Sequence, residues 1–224
     1  MTGDGGVIER RQPFAMGRTT VGTRALCGAL LALLAALASG PAGAQSTAGS
    51  AAATLPDLQT RLQAARDTAR TYSDQLKAQL GDAIKTGGLK GAVGQCTTIA
   101  PDLNSTVSEQ SPFEIGRTAL KLRNPDNTPD PWERANLELF IKQLAAGGDH
   151  KTMEAFDVTV TKEGQKLFRY MRPILTGEMC LGCHGPAVPQ DIKQEIARSY
   201  PDDKATGFNL GELRGAFTLV QEVE

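Results

Sequence analysis

The chain has 224 residues, with 24 basic and 25 acidic side chains and a formal net charge of −1. This balance leaves no strongly basic surface, so a nucleic-acid partner is not expected. The length is sufficient for one domain with its own hydrophobic core.

Residues 1–44 are organised as a secretory signal peptide. Arg18 and Arg24 precede the Leu/Ala-rich run 25–39, and small residues follow up to Ala44. We expect cleavage near Ala44-Gln45 and a periplasmic mature protein. An uncleaved membrane anchor is the alternative, but the apolar run is shorter than the ~20 residues that a span needs. No further membrane span is expected in the rest of the chain.

The mature chain begins with a short polar leader. Residues 45–54 are small and polar and predict a flexible segment. A single domain is then expected over residues 55–224.

A long amphipathic helix is predicted over residues 56–84, before Gly87-Gly88. Its apolar side chains recur at spacings of three and four. They are Leu58, Leu62, Ala65, Ala69, Tyr72, Leu76, Leu80 and Ile84. Such a helix would be about 42 Å long, which is more than a small domain needs. Its stripe therefore packs on the domain only in part, or it forms a homodimer with a second copy.

A second helix is predicted over residues 89–100, with Cys96 on its inner face and Pro101 as its end. Alternating apolar residues over 113–122 then predict a strand. Further along, a helix begins at Asp130 and ends near Ala146, since Asp130, Pro131 and Glu133 have the spacing of an N-terminal cap.

The remaining pattern alternates strands with one short helix. The predicted elements are strands over 155–161 and 165–172, a helix over 191–199, and a strand over 214–220. This order predicts an α+β domain with a mostly antiparallel sheet flanked by helices.

The pentapeptide Cys180-Leu181-Gly182-Cys183-His184 is typical of a c-type haem attachment site. Its two thiols can form thioethers with the haem vinyl groups, and the adjacent histidine is placed to ligate the iron. A redox C-x-x-C pair and half of a zinc site are the alternatives. Zinc would need two further ligands, and the sequence contains no second Cys or His pair.

Cys96 is the one cysteine of the predicted mature chain that lies outside this motif. Cys27 lies in the signal peptide, so Cys96 is the third thiol of the mature chain. A single free thiol in an oxidising compartment is usually lost, paired or used. On these residues alone, a small buried apolar side chain is as good an interpretation as a functional one.

A longer set of motifs resembles a known family. The run from Gly116 to Pro125 (GRTALKLRNP), followed by Pro131-Trp132-Glu133, is similar to the signature of the Tll-type haem domains, long filed as a domain of unknown function. Further matching segments are 168–173, 180–185, 200–203 and 211–216. Ala119 stands where the family pattern has serine.

This resemblance implies a PAS-like fold that carries one covalently attached haem c. It also implies that Cys96 is the second axial ligand of the iron, opposite His184. The alternatives for that position are one histidine and three methionines: His150, Met153, Met171 and Met179.

Four basic side chains lie on the predicted strands near the inferred haem site. They are Arg117, Lys121, Arg123 and Arg172, and they are candidates for pairing with the haem propionates. An ordinary solvated strand face is the competing interpretation.

The sequence therefore predicts a soluble periplasmic monohaem c-type cytochrome. A Cys96 thiolate would lower the redox potential, which favours low-potential electron transfer with a separate redox partner. The alternative is a haem-based redox or gas sensor that acts through a separate signalling partner. A haem enzyme is disfavoured, because His150 is the only histidine besides His184.

Overall fold

The structure is a computed structural model in which residues 55–224 are described. The predicted signal peptide, its cleavage site and the leader lie outside the described residues. Within the described range, no helix is both long and apolar enough to cross a bilayer.

A four-stranded antiparallel sheet forms the centre of the fold. Its strands are β1 (Glu114–Thr118), β2 (Ala155–Val160), β3 (Lys166–Leu175) and β4 (Leu213–Val223), in the order β1-β4-β3-β2. The register pairs Ile115 with Leu219 on β4. The predicted α+β class and antiparallel sheet are confirmed.

Three strand ends differ from the predicted ones by three residues or more, and one of them is the end of β4, which lies at Val223 instead of residue 220. β1 ends at Thr118, because the Ala119 N–H bonds to the carbonyl of Asn127 instead of continuing the ladder. β3 runs through Pro173 to Leu175. Pro173 is tolerated because β2 pairs with β3 only as far as Met171, so on that side no N–H is needed.

Helix α1 (Leu55–Glu109) folds back on itself at Gly88, whose backbone is non-helical (φ 64°, ψ −174°). The Tyr72 hydroxyl donates to Asn104 Oδ1 at 2.5 Å. In a straight helix these two residues would be about 48 Å apart, so the segments 55–87 and 89–109 form a hairpin. The break predicted at Gly87-Gly88 is therefore present, but it joins two packed segments.

The predicted end at Pro101 is wrong. Pro101 lies inside α1, which continues to Glu109. Leu103 and Val107 beyond it are buried. Their burial offsets the backbone hydrogen bond that a proline removes from a helix.

Both segments of α1 pack on the same face of the sheet. This α1-side core contains Leu62, Ala65, Ala69, Tyr72, Leu103, Val107, Phe113, Ile115, Phe168, Tyr170, Phe217 and Leu219. Much of the apolar stripe of residues 56–84 is thus covered by the chain itself. A homodimer through this helix stays a prediction, and its surface would be limited to what the sheet and residues 89–109 leave uncovered.

We expect Gly88→Ala to destabilise the protein by about 1–3 kcal/mol, because an L side chain is strained at this backbone conformation. Gly87 is the matched control: a Cβ there meets no atom within 4 Å, and its φ is not positive. Gly87→Ala should change the free energy of unfolding by less than about 1 kcal/mol. Urea unfolding measures both variants, and equal effects would contradict a strained hairpin bend.

Helix α2 (Pro131–Ala145) covers the opposite face of the sheet. The predicted cap is present, since the Asp130 side chain accepts from the Glu133 N–H and the Glu133 side chain from the Asp130 N–H. This α2-side core contains Leu137, Phe140, Met153, Met171 and Ala216, with Leu120, Trp132, Leu144, Ala155 and Leu213 partly buried against it.

Two short helices lie between β3 and β4. They are α3 (Glu178–His184) and α4 (Gln190–Ser199). The α4 cluster joins them to α1 and contains Val93, Val188, Ile192 and Ile196, with Leu89, Cys183 and Tyr200 packed against it. The start of the second segment of α1 is thereby fixed beside the C-x-x-C-H motif.

A carboxylate ties α1 to the edge of the sheet. Glu154 accepts from Arg66 at 2.5 and 2.9 Å and from the Tyr170 hydroxyl at 3.0 Å. The hydrogen bond from Arg66 is the main cause that lowers the pKa of Glu154 below its ordinary value of 4.5, against the opposing effect of burial.

Because this pKa is lower in the folded state, its contribution to stability is present above the ordinary pKa and is lost as the pH falls through the folded-state value. Glu154→Gln should cost about 1–2 kcal/mol at pH 7, and the difference from wild type should shrink on acidification. Unfolding curves between pH 7 and pH 3 test this. Glu163→Gln, in the exposed turn after β2, is the control. A difference between Glu154→Gln and wild type that does not depend on pH would contradict a stabilising role of the Glu154 carboxylate.

Candidate functional site

Helix α3 presents the three residues of the C-x-x-C-H motif from one turn. Cys180, Cys183 and His184 are three and four positions apart and therefore share a helix face. Both thiols are free and half-buried. The sequence motif thus corresponds to a compact group of two thiols and one imidazole.

His184 is held by backbone and side-chain contacts. Its Nδ1 lies 2.7 Å from the Ala205 carbonyl, which can only accept, so Nδ1 carries the proton and donates it. The Arg214 Nε at 3.2 Å from the same nitrogen is then a close contact rather than a hydrogen bond. The lone pair is on Nε2, where the Arg123 Nη1 approaches to 3.5 Å.

The imidazole of His184 is neutral in this environment. Its pKa is lowered from 6.5 to about 2, chiefly by burial and in smaller part by the cations Arg214 and Arg123. A neutral imidazole with a free Nε2 lone pair is the form that ligates a metal. The structure therefore holds His184 in a ligating state, with its second nitrogen bonded to a backbone carbonyl as metal-bound histidines usually are.

Close packing fixes the position of α3. A Cβ at Gly182 would lie 2.9 Å from Leu89 Cδ1, so the hairpin of α1 presses directly on the loop between the two thiols. On the other side, the Phe208 N–H donates to the His184 carbonyl at 3.0 Å. The ring of Phe208 also meets the imidazole edge-on.

Cys96 lies on the second segment of α1, on the side that faces α3. It follows Leu89 and Val93 at spacings of seven and three residues, which places all three on one helix face. It is half-buried and interacts electrostatically with Cys183 and Tyr200. Burial raises the pKa of the Cys96 thiol, while Arg117 and Arg123 oppose that rise.

A cluster of guanidinium groups surrounds the motif. Arg123 donates to the Cys183 carbonyl at 2.7 Å and pairs with Asp203 at 3.1 Å. Arg117 acts on the pKa of Cys96, His184 and Arg214. Among the described residues, Asp203 is the one carboxylate that is paired with this cluster. The site therefore has an excess of buried positive charge.

Arg214 is placed by an irregularity in the sheet. Ile174 pairs with Gly215 and Leu175 with Leu213, so Arg214 is the extra residue of a β-bulge. Such bulges redirect a side chain, here towards His184. The pKa of Arg214 is lowered to about 10, chiefly by burial and in smaller part by Arg123 and Arg117.

The other two predicted basic residues lie farther from the thiols. Lys121 is exposed, with its ammonium 4.8 Å from the centre of the Phe208 ring. Arg172 donates to the Lys151 carbonyl at 3.1 Å. Of the four cations predicted from the strands, Arg117 and Arg123 are therefore the two brought to the motif.

The alternative iron ligands are placed elsewhere. His150 is exposed beside Asp149. Met153 and Met171 are buried in the α2-side core. Met179 lies on α3 itself, one residue before Cys180, and is exposed.

Sequence reasoning missed three contributors to this site. They are Arg214, Asp203 and Phe208. Asp203 and Arg214 lie inside segments that match the family pattern, which was the available signal. Nothing in the sequence showed the bulge that turns Arg214 inwards.

The domain is thus α+β, and its site combines a histidine and two free thiols with a third thiol nearby. The chain belongs to the Tll0287-like family, whose profile matches residues 49–221. It is similar in fold to a solved structure, the cyanobacterial heme-protein Tll0287. The two share 19% identity with a TM-score of 0.51, over 77% of this chain and 98% of that one. The comparison with curated proteins gave no match.

Proposed function

We propose that this protein is a periplasmic monohaem c-type cytochrome with low-potential electron transfer as its function. The observation that carries the proposal is the group formed by Cys180, Cys183 and His184 on one helical turn, beside Cys96. The similarity to the haem protein Tll0287 supports the same cofactor.

The two thiols of α3 are suited to covalent attachment. Each can add across a haem vinyl group, with sulfur bonding one carbon and hydrogen the other. Cys180 and Cys183 are free and half-buried, so no disulfide competes. Burial raises the pKa of the Cys183 thiol, and Arg123 opposes that effect. Haem would supply an iron that cycles between two oxidation states.

His184 and Cys96 are the residues proposed to ligate the iron. His184 already has its lone pair on Nε2 and its proton engaged by Ala205. The raised pKa of Cys96 keeps this thiol protonated in the haem-free chain. A metal would deprotonate it, because a coordinated thiol loses its proton. A thiolate ligand favours ferric iron, and this is the basis of the low potential.

The guanidinium cluster fits the two carboxylates of a haem. Arg117 and Arg123, the two predicted cations beside the motif, have a single paired acid, Asp203, which is bonded to Arg123. Buried cations in excess are costly unless anions join them. Haem propionates would supply two such anions through charge-assisted hydrogen bonds.

Export is part of this proposal. The predicted signal peptide would deliver the chain to the compartment where haem is attached to C-x-x-C-H motifs, and its redox partner would be found there.

Spectroscopy and potentiometry of the haem-loaded protein test this function. We expect a haem that stays with the chain under denaturing conditions, a low-spin ferric spectrum and a negative midpoint potential. A haem that is lost on denaturation would contradict covalent attachment. A positive potential would contradict thiolate ligation and a low-potential carrier.

A haem-based sensor is the second candidate, and the position of Cys96 favours it. This ligand would sit on the α1 hairpin, an element separate from the one that carries His184. Loss of the Cys96 bond would free both an iron position and that hairpin segment. Binding of CO by the ferrous protein with displacement of sulfur would favour the sensor hypothesis. Persistent six-coordination would favour the electron carrier.

A further inference from the structure

A cavity of about 590 Å³ lies on the α2 side of the sheet, apart from the thiols. It is lined by α2, by the segment after β1 and by the loop that leads into β4. Its apolar side chains are Leu120, Leu137, Ile141, Leu144, Phe208 and Leu213. The volume is within the range of small-molecule sites.

This cavity is distinct from the proposed haem site. Its apolar wall is shared with the α2-side core, whereas Cys183 packs in the α4 cluster next to α1. No residue of α1 or α3 lines it. The two sites adjoin at Phe208 and Arg214, which line the cavity and also contact His184.

Positive charge is concentrated at one end of the cavity. Lys121 and Arg214 line it, with their cationic groups 4.8 and 5.4 Å from the centre of the Phe208 ring. Within residues 55–224 neither forms a salt bridge: Lys121 Nζ donates to the Thr206 carbonyl at 3.5 Å and Arg214 Nη1 to the Lys121 carbonyl at 3.3 Å. The pKa of Glu212 is lowered chiefly by its hydrogen bonds with Asn209, and Lys121 also contributes to this lowering. The only acid in the lining, Glu212, is at the surface and accepts from the backbone N–H and side-chain amide of Asn209.

The mouth of the cavity is apolar. Ile141 is 44% exposed, and Leu210, which also lines the cavity, is 59% exposed. Exposed large apolar side chains that border a cavity mark a surface that a ligand can cover.

We propose that this cavity binds an amphiphilic carboxylate, with its apolar chain between α2 and β4 and its carboxylate at Lys121 and Arg214. Apolar walls fit the chain, and two cations at one end, neither in a salt bridge within residues 55–224, fit a single anionic group. The cavity does not require haem, but it shares a wall with the proposed haem site. Phe208 meets the His184 ring edge-on, and the Arg214 Nε lies 3.2 Å from its Nδ1. An anion on Arg214 would therefore act on the environment of His184.

The test is a calorimetric titration of the haem-loaded protein with decanoate, with decanol as the uncharged control. We expect saturable binding of decanoate, binding of decanol weaker by about tenfold or more, and a shift of the haem absorption spectrum on binding. Equal affinity for the two probes would overturn the role of the cations. An unchanged haem spectrum would overturn the coupling to His184.

Two variants locate the site. Ile141→Trp should fill the cavity and abolish binding, while its haem spectrum stays that of the wild type, because Ile141 lies on α2 away from the thiols. Leu139→Trp, at an exposed α2 position outside the lining, is its matched control and should bind decanoate normally. Full binding by Ile141→Trp would overturn the assignment.

The haem-free Cys180→Ser/Cys183→Ser protein separates this inference from the proposed function. Binding of decanoate by both forms supports the cavity even if no haem is attached. Binding by the haem-free form alone would show that haem occupies the cavity, and the inference would fail.

Discussion

We expect replacement of both Cys180 and Cys183 with serine to abolish the proposed covalent attachment of haem. A serine hydroxyl does not add to a vinyl group as a thiol does, and both thioether positions on α3 are removed together. We expect no haem to remain on the chain in a denaturing gel, compared with stoichiometric haem in the wild type. A haem-staining gel and the pyridine haemochrome spectrum measure this directly.

The matched control for that experiment is Cys96→Ser. Cys96 lies on α1 and not in the motif, so this variant should keep its haem under denaturing conditions. If the double variant still carries haem after denaturation, attachment through α3 is wrong. If Cys96→Ser also loses its haem, the roles assigned to the three thiols are wrong.

The second large effect is expected from Cys96→Ala. Removal of the thiolate takes away the ligand that favours ferric iron, so the midpoint potential should rise by on the order of 0.1 V or more, within the ~0.8 V range that axial ligands span. The low-spin thiolate signature of the ferric protein should disappear. EPR and spectroelectrochemistry of the haem-loaded variant measure both changes.

Thr97→Ala is the control for this substitution. Thr97 is exposed and adjacent to Cys96, and its hydroxyl donates only to the Gly94 carbonyl. Its potential and spectrum should match those of the wild type. An unchanged spectrum in Cys96→Ala would make Cys96 a packing residue. Met153 and Met171 could then replace it only if the α2-side core opened, because both are buried there.

Much of the fold could be predicted, because it depends on local patterns. The hairpin of β2 and β3, the cap of α2 and the break at Gly88 all have short-range signals. The prediction that the helix ends at Pro101 was wrong, because the effect of a proline on a helix depends on how the residues beyond it pack. The burial of Leu103 and Val107 against the sheet is a long-range property that no local pattern contains.

In the candidate site, too, only the part that depends on local sequence could be predicted. The spacing of Cys180, Cys183 and His184 is local, and one helical turn is enough to bring them together. The positions of Asp203 and Arg214 depend on where the chain returns after α4 and on a bulge in β4. The cavity beside α2 is likewise formed by three segments that are distant in sequence.

The contact between Leu89 and Gly182 has a consequence for the biogenesis of the protein. In the folded chain, the α1 hairpin packs against the part of α3 between the two thiols, with Leu89 Cδ1 2.9 Å from the position that a Cβ of residue 182 would take. This contact covers Gly182, while Cys180 and Cys183 on either side of it stay half-exposed. If haem is attached to these thiols as proposed, its insertion would be easiest before the first turns of residues 89–109 dock beside α3.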